Sequence, residues 1–162
     1  MLLKINLGSE NNILNEFENL DPRWKLFSGV KPWDGWNSKI PFGDGSAELV
    51  LVQHVLMYCK KEDYDKNLQE IYRVLCQGGI FLLKEENNKK YQWRQIGTKH
   101  KTGNIIGSTN LEEIVPILEK NGFKVVSTDS KTITEKYNKN YPIINRLPKL
   151  FKDKLFIVEC QK

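Results

Sequence analysis

Four short clusters in this chain have the chemistry of a ligand site: Leu7-Gly8-Ser9-Glu10, Asp21-Pro22, Gln53-His54 and Lys84-Glu85-Glu86-Asn87. A glycine such as Gly8 lets backbone pass close to a ligand. A carboxylate such as Asp21 can accept hydrogen bonds from the two hydroxyls of a ribose, as acids do in nucleotide-binding folds. Gln53 and His54 add an amide and an imidazole, suited to a base or an amino-acid moiety. Each cluster also has a plain structural reading. Gly8-Ser9 reads as a turn, Asp21 before Pro22 as a turn initiator, and His54 as a hydrogen-bonded core histidine. Their shared position in the chain favours the ligand reading.

Each cluster closes a segment that reads as a strand. Leu2 to Leu7 is a short apolar run ended by Gly8-Ser9, and Phe17 to Asp21 is a second candidate stopped by Pro22. Ala47 to Gln53 is almost continuously apolar, the pattern of a strand buried on both faces of a parallel sheet. Residues 63 to 76 place Tyr64, Leu68, Ile71, Tyr72 and Leu75 at helical spacing, with Gly78-Gly79 as the expected stop. Ile80 to Lys84 is the next strand. Thr109-Asn110-Leu111-Glu112-Glu113 opens a helix with a capping-box pattern. Pro116 is expected to kink that helix and Asn121-Gly122 to close it. Phe123 to Ser127 and Leu155 to Cys160 read as strands. Tyr141 to Phe151 reads as a mixed segment broken by Pro148.

Strands alternating with helices imply parallel crossovers. The expected fold class is α/β, a doubly wound Rossmann-like, mostly parallel sheet with an antiparallel last strand and a reduced N-terminal part. Ligands of such sheets bind beyond the carboxyl ends of the strands, near the switch point. All four clusters fall there. The expectation is one domain over residues 1–162.

Composition agrees with a packed globular domain: 40% of the 162 residues are hydrophobic and 28% charged. The apolar runs are strand-sized, too short for a membrane helix. The start of the chain lacks the pattern of a secretory signal. Cys59, Cys76 and Cys160 are odd in number and widely spaced, which argues against a disulfide framework or a metal site. Reduced thiols and a cytoplasmic location are expected. The net charge of +5 is unevenly spread: residues 87 to 109 hold Lys89, Lys90, Arg94, Lys99 and Lys101, one histidine and no acid. Interleaved with Tyr91 and Trp93, this stretch suits nucleic acid or an acidic partner, or is simply a solvated lysine-rich loop.

The central block adds a resemblance. Ile40-Pro41-Phe42-Gly43-Asp44-Gly45-Ser46-Ala47-Glu48-Leu49-Val50 is similar to the "lPFpDnSFDlV" of class I S-adenosylmethionine-dependent methyltransferases. Gln53-His54-Val55-Leu56 and Glu70-Ile71-Tyr72-Arg73-Val74-Leu75-Cys76-Gln77-Gly78-Gly79-Ile80 resemble the family's "HVLEH…EiyRVLkPGG". Leu118 to Phe123 resembles its "LeeaGF". Leu7-Gly8-Ser9 and Asn19-Leu20-Asp21 resemble a subgroup with a shortened motif, "LNLGsG…gWiNvD", of the methyltransferase type 11 kind.

The resemblance implies a methyltransferase using S-adenosyl-L-methionine, with RNA, a protein or a small molecule as acceptor. It implies cofactor contacts from Leu7, Gly8, Ser9, Glu10, Asp21 and Pro22, with Gly8 and Ser9 at the methionine part and Asp21 at the ribose. Trp36 or Asn37 would stand at the adenine, and Gln53, His54 and Val55 would flank the donor sulfonium. Methyl transfer is a direct displacement that needs alignment above all. A base is required only for an acceptor that carries a proton. His54 is the first candidate for that role, followed by Tyr58 and Glu85. Three departures are expected to matter. Glu10 stands where the family has a second glycine, the full glycine motif with its following helix is missing, and so are the helices that lid the pocket. These departures also fit a non-catalytic, methyltransferase-like scaffold that partners another subunit, or a homodimer in which a second copy completes the pocket.

Overall fold

A computed structural model of the chain describes residues 1–87, 99–100, 103–104, 106–107, 109–138 and 155–162. Seven strands form one sheet: β1 (Leu3–Leu7), β2 (Glu18–Asp21), β3 (Lys31–Pro32), β4 (Ala47–Gln53), β5 (Leu75–Glu86), β8 (Lys124–Ser127) and β9 (Leu155–Gln161). β6 (Lys99–His100) and β7 (Gly103–Asn104) form a separate antiparallel pair. The sheet order is β3-β2-β1-β4-β5-β9-β8. All neighbours are parallel except at β9, which runs antiparallel to both β5 and β8. The doubly wound sheet with an antiparallel last strand is therefore as expected.

Among the described residues three α-helices cover its two faces: α1 (Tyr64–Val74), α2 (Leu111–Lys120) and α3 (Ser130–Asn138). Alternation along the central strands sorts their side chains. Val50, Val52, Phe81, Leu83, Phe156 and Val158 pack with Leu68 and Ile71 of α1 and Ile114 and Leu118 of α2. Leu49, Leu51, Leu82 and Ile157 face the other way, against Leu14, Phe17 and Ile133 of α3. Full burial of each such aliphatic side chain contributes ~1.5–3 kcal/mol against solvent exposure. β4 is apolar on both faces because both are covered.

α2 starts where the capping residues place it, with the Asn110 side chain accepting from the Glu113 N–H at 3.2 Å. It continues through Pro116 to Lys120. α1 closes at Val74, four residues before the expected Gly78 stop, and β5 begins at Leu75. The C-terminal Lys162 supplies part of the reason: its ammonium donates to the carbonyls of Tyr72 and Leu75 at 2.7 and 2.8 Å, satisfying carbonyls left over at the helix end. Gly78-Gly79 lies instead within β5. α3 was not expected from the sequence. The Tyr141 to Phe151 segment lies outside the described residues, as does the basic stretch from Lys89 apart from the Lys99–His100 strand.

Between β1 and β2 the crossover helix is replaced by a loop held by two buried asparagines. Asn6 donates to Asn19 Oδ1 at 3.0 Å, and the Asn19 amide donates to the Leu14 and Phe17 carbonyls, both at 3.0 Å. Asn19 Oδ1 also accepts from the Leu14 N–H. One side chain thus satisfies loop backbone groups that a helix would otherwise have satisfied.

Candidate active site

The sheet order reverses around β1, which lies between β2 and β4. The open crevice expected at such a point is present as a cavity of about 700 Å³, a size that takes one small-molecule ligand. Its walls come from three places. The ends of β1 and β2 supply Gly8, Glu10, Asn12, Asp21, Pro22 and Arg23. The segment after β3 supplies Trp33, Gly35, Trp36 and Asn37. The end of β4 and the turns after it supply Gln53, His54, Val55, Met57, Tyr58, Cys59, Lys60 and Asp63, with Glu86 and Ile106 completing the rim.

Asp21 organises the first wall. It is 2% exposed, and its two oxygens accept from the Glu10 N–H at 3.1 Å and the Arg23 N–H at 2.8 Å. A carboxylate has about four lone-pair positions, so acceptor capacity remains toward the cavity it lines. Gly8 has φ +69°, and a Cβ there would stand 2.4 Å from Val55 Cγ2. Glycine is thus required by the backbone and by the close approach of Val55. Glu10 keeps a glycine-like backbone, φ 47°, at the position where the shortened motif has glycine.

The second wall is aromatic. Trp33 and Trp36 meet edge-on at 5.4 Å. Trp33 is 4% exposed, and its indole nitrogen is buried with no hydrogen-bond partner among the described residues. Trp36 Nε1 donates to the Val55 carbonyl at 2.9 Å, tying the second wall to the third. Asn37 is held by its own N–H to Asn67 Oδ1 at 2.7 Å and by its amide to Asp63 at 2.9 Å.

The third wall is a tight turn. His54 takes φ 53°, its N–H donates to the Lys84 carbonyl, and its Nδ1 lies 3.9 Å from Glu86 Oε1. Behind the turn, Glu85 Oε1 accepts from the N–H groups of Val55 and Leu56 at 2.7 and 2.8 Å. Burial pushes its carboxyl up to about 8, against the pull of those two N–H groups. Burial likewise pushes the Cys59 thiol up to about 12 despite the amide of Asn67 on its sulfur. Cys59 is therefore a protonated thiol at neutral pH, not a nucleophile.

Of the residues singled out from sequence, Gly8, Glu10, Asp21, Pro22, Trp36, Asn37, Gln53, His54, Val55 and Tyr58 line this one cavity. Leu7, Ser9 and Glu85 do not: Leu7 is in the core, Ser9 is 2% exposed, and Glu85 sits behind the turn. Glu86, from the fourth strand-end cluster, also lines the cavity, whereas sequence reasoning did not single out Arg23 or Asp63. Arg23 was discoverable, two places after Asp21 on the same strand end. Asp63 had no such signal, since its place depends on how α1 is packed, and Trp33 could be read only as one of three tryptophans suited either to packing or to an aromatic wall. Among the described residues no group of histidine, cysteine and acidic side chains is arranged to hold a metal.

Comparison with known proteins points the same way. Residues 28–83 match the model of the methyltransferase domain family. No curated protein matches the chain. Among solved structures, a Mesorhizobium loti S-adenosylmethionine-dependent methyltransferase superposes with a TM-score of 0.69 at 13% identity, covering 99% of this chain and 91% of that one. A Thermotoga maritima methyltransferase, described as a possible histamine N-methyltransferase, gives 0.63 at 18% identity, with 99% and 82% covered. A Haloferax volcanii complex of the Trm112 methyltransferase activator with its methyltransferase gives 0.61 at 14%, with 99% and 84% covered. The chain thus has the fold of these methyltransferase structures, and its residues 28–83 match the methyltransferase domain family model.

Proposed function

We propose that the cavity binds S-adenosyl-L-methionine and that the chain, acting as one domain, is a methyltransferase. The observation that carries this reading is the convergence of Gly8, Asp21, Trp36 and Gln53–Val55 on one cavity at the switch point of the sheet. The residues fit the cofactor. Asp21 has acceptor capacity for ribose hydroxyls, Trp33 and Trp36 form an aromatic wall for a base, and Asn37 stands beside them. When bound, the cofactor supplies an electrophilic methyl group. The protein's part is to hold and orient. Asp21 positions the ribose, and Gln53, His54 and Val55 flank the transferring group. His54, near the carboxylate of Glu86, takes a proton from an acceptor that carries one, and Tyr58 orients that acceptor. Glu85 acts through the turn it holds. A cytoplasmic location accords with the free cysteines, and no described helix is long and apolar enough to cross a membrane.

Calorimetric titration with S-adenosylmethionine and S-adenosylhomocysteine tests the reading. Micromolar binding is expected in the parent protein. Asp21→Ala also removes an acceptor for two backbone N–H groups, so Asp21→Asn is the companion variant, retaining one oxygen. Both variants are expected to lose at least ~10-fold in affinity. Absence of binding by the parent protein at millimolar ligand sinks the proposal.

A further inference from the structure

Ile106 and Gly107, between β7 and α2, reach the cavity by resting on the turn that follows β4. The Met57 carbonyl accepts from both of their N–H groups, each at 2.9 Å. A Cβ at residue 107 would stand 2.0 Å from the Cys59 oxygen and 2.8 Å from the Leu56 oxygen. The Leu56 oxygen is itself held, because it accepts from the Cys59 N–H at 2.9 Å to close the 3-10 turn Leu56–Tyr58. Backbone packed this closely on backbone leaves room for glycine alone. Gly107 thereby sets Ile106 at the cavity rim, 40% exposed, on the wall that Met57 and Tyr58 also line. An aliphatic side chain so exposed in a concave site gains from a ligand that covers it.

The cofactor reading leaves this part of the cavity unclaimed. Asp21, the tryptophans and Asn37 serve the nucleoside, and Gln53, His54 and Val55 flank the transferring group. The nearest charge on the rim is the carboxylate of Glu86, whose side chain is 16% exposed and lies 3.9 Å from His54 Nδ1. The arginine and the lysine among the described lining residues each face a carboxylate already. Arg23 Nη2 lies 2.7 Å from Glu10 Oε1, and Lys60 Nζ lies 3.4 Å from Glu62 Oε1. We propose that Met57, Tyr58 and Ile106 form the pocket for the methyl acceptor, with Gly107 as the positioning residue, and that the acceptor is a small molecule presenting an apolar, uncharged face. The proposal rests on the reading of the cavity as an S-adenosyl-L-methionine site. A phosphate-bearing acceptor such as nucleic acid is the class that Glu86 opposes, because like charges repel strongly where water is scarce.

The test uses analogues of S-adenosylhomocysteine in which the sulfur is replaced by a nitrogen carrying a methyl, a phenethyl or a phosphonoethyl arm. All three keep the nucleoside and the amino acid, and the arm starts at the point of methyl transfer. Calorimetry is run on the parent protein, Ile106→Ala, Ile106→Leu and Gly107→Ala, with circular dichroism confirming that each is folded. The parent should bind the phenethyl analogue about 10-fold more tightly than the methyl analogue, and the phosphonoethyl analogue at least about threefold more weakly. Ile106→Ala should cut the phenethyl gain by about fivefold while changing methyl-analogue binding by less than about threefold, and Ile106→Leu should keep most of the gain. Gly107→Ala should lose the gain as Ile106→Ala does, and the two Ile106 variants carry the test if it does not fold. Equal affinity of the parent for the methyl and phenethyl analogues, or a gain that Ile106→Ala leaves intact, overturns the pocket and leaves the cofactor reading standing. Tightest binding of the phosphonoethyl analogue points to an anionic acceptor such as nucleic acid and also overturns it. Failure of the methyl analogue and of S-adenosylhomocysteine to bind the parent removes the cofactor reading, and the pocket with it.

Discussion

A methyl group added at Gly8 has nowhere to go, since Val55 Cγ2 and Cγ1 stand 2.4 and 2.9 Å from where it would be. The positive φ adds strain for any L side chain. Gly8→Ala is therefore expected to lower stability by ~2–4 kcal/mol, the sum of a left-handed backbone and overpacking. Urea denaturation measures this. In a Val55→Ala background the same change should cost less, and a loss as large as in the parent would show that the contact with Val55 is not the cause. Asp21 works at this scale too, through its two backbone N–H partners. The type and chain position of Gly8, Asp21 and His54 were legible because strand ends are where such residues collect. Arg23 and Glu10 were legible as charges but not as a pair, because their meeting depends on two loops that turn toward each other.

At the scale of elements, the turn after β4 is held from behind by β5. Glu85 accepts two N–H bonds from that turn through one oxygen, Oε1. Its carboxyl titrates at about 8 when folded and near its ordinary 4.5 when unfolded. The folded state therefore binds more protons between those values. The stabilising contribution is complete below about pH 4.5, falls as pH rises, and is gone above about pH 8. The parent should lose roughly 2–5 kcal/mol from this group across that window. Glu85→Gln keeps an Oε1 acceptor and cannot ionise. Its urea midpoint should match the parent near pH 5 and exceed it at pH 8, and parallel pH profiles for the two proteins would contradict this. α2 allows a simpler check: Asn110→Ala removes the cap on the Glu113 N–H and should cost about 1 kcal/mol in thermal or urea unfolding. The cap and the apolar stripe made α2 legible. The end of α1 was not, because a lysine 88 residues beyond Val74 contributes to setting it.

For the whole molecule, the position of β9 matters most. The last strand in sequence lies between β5 and β8 rather than at an edge. It brings Phe156, Val158 and Cys160 to one face of the sheet and Ile157 to the other. Removing residues 155–162 takes away the pairing of two strands and four core side chains. The shortened chain should show no cooperative thermal transition by circular dichroism. A sharp transition with native-like ellipticity would mean that β1 to β5 fold without it.

Local pattern determined much of this protein. The apolar runs predicted most of the sheet strands, the 3.6-residue spacing predicted α1 and α2, and the alternation of strands with helices predicted a doubly wound sheet, because periodicity and turn chemistry are properties of neighbouring residues. From the same source came the strand-end clusters that gather in the cavity. Only the tertiary structure decided that β9 inserts between β5 and β8, that α3 covers the second face, and that Glu85 lies behind the active-site turn rather than in the cavity. It also decided that Trp33 walls the cavity and that Glu10 faces Arg23. Each of these depends on contacts between residues distant in sequence, which are set by the shared burial of apolar faces and by the demand that buried polar groups find partners, and no local window of the chain contains both halves of such a contact.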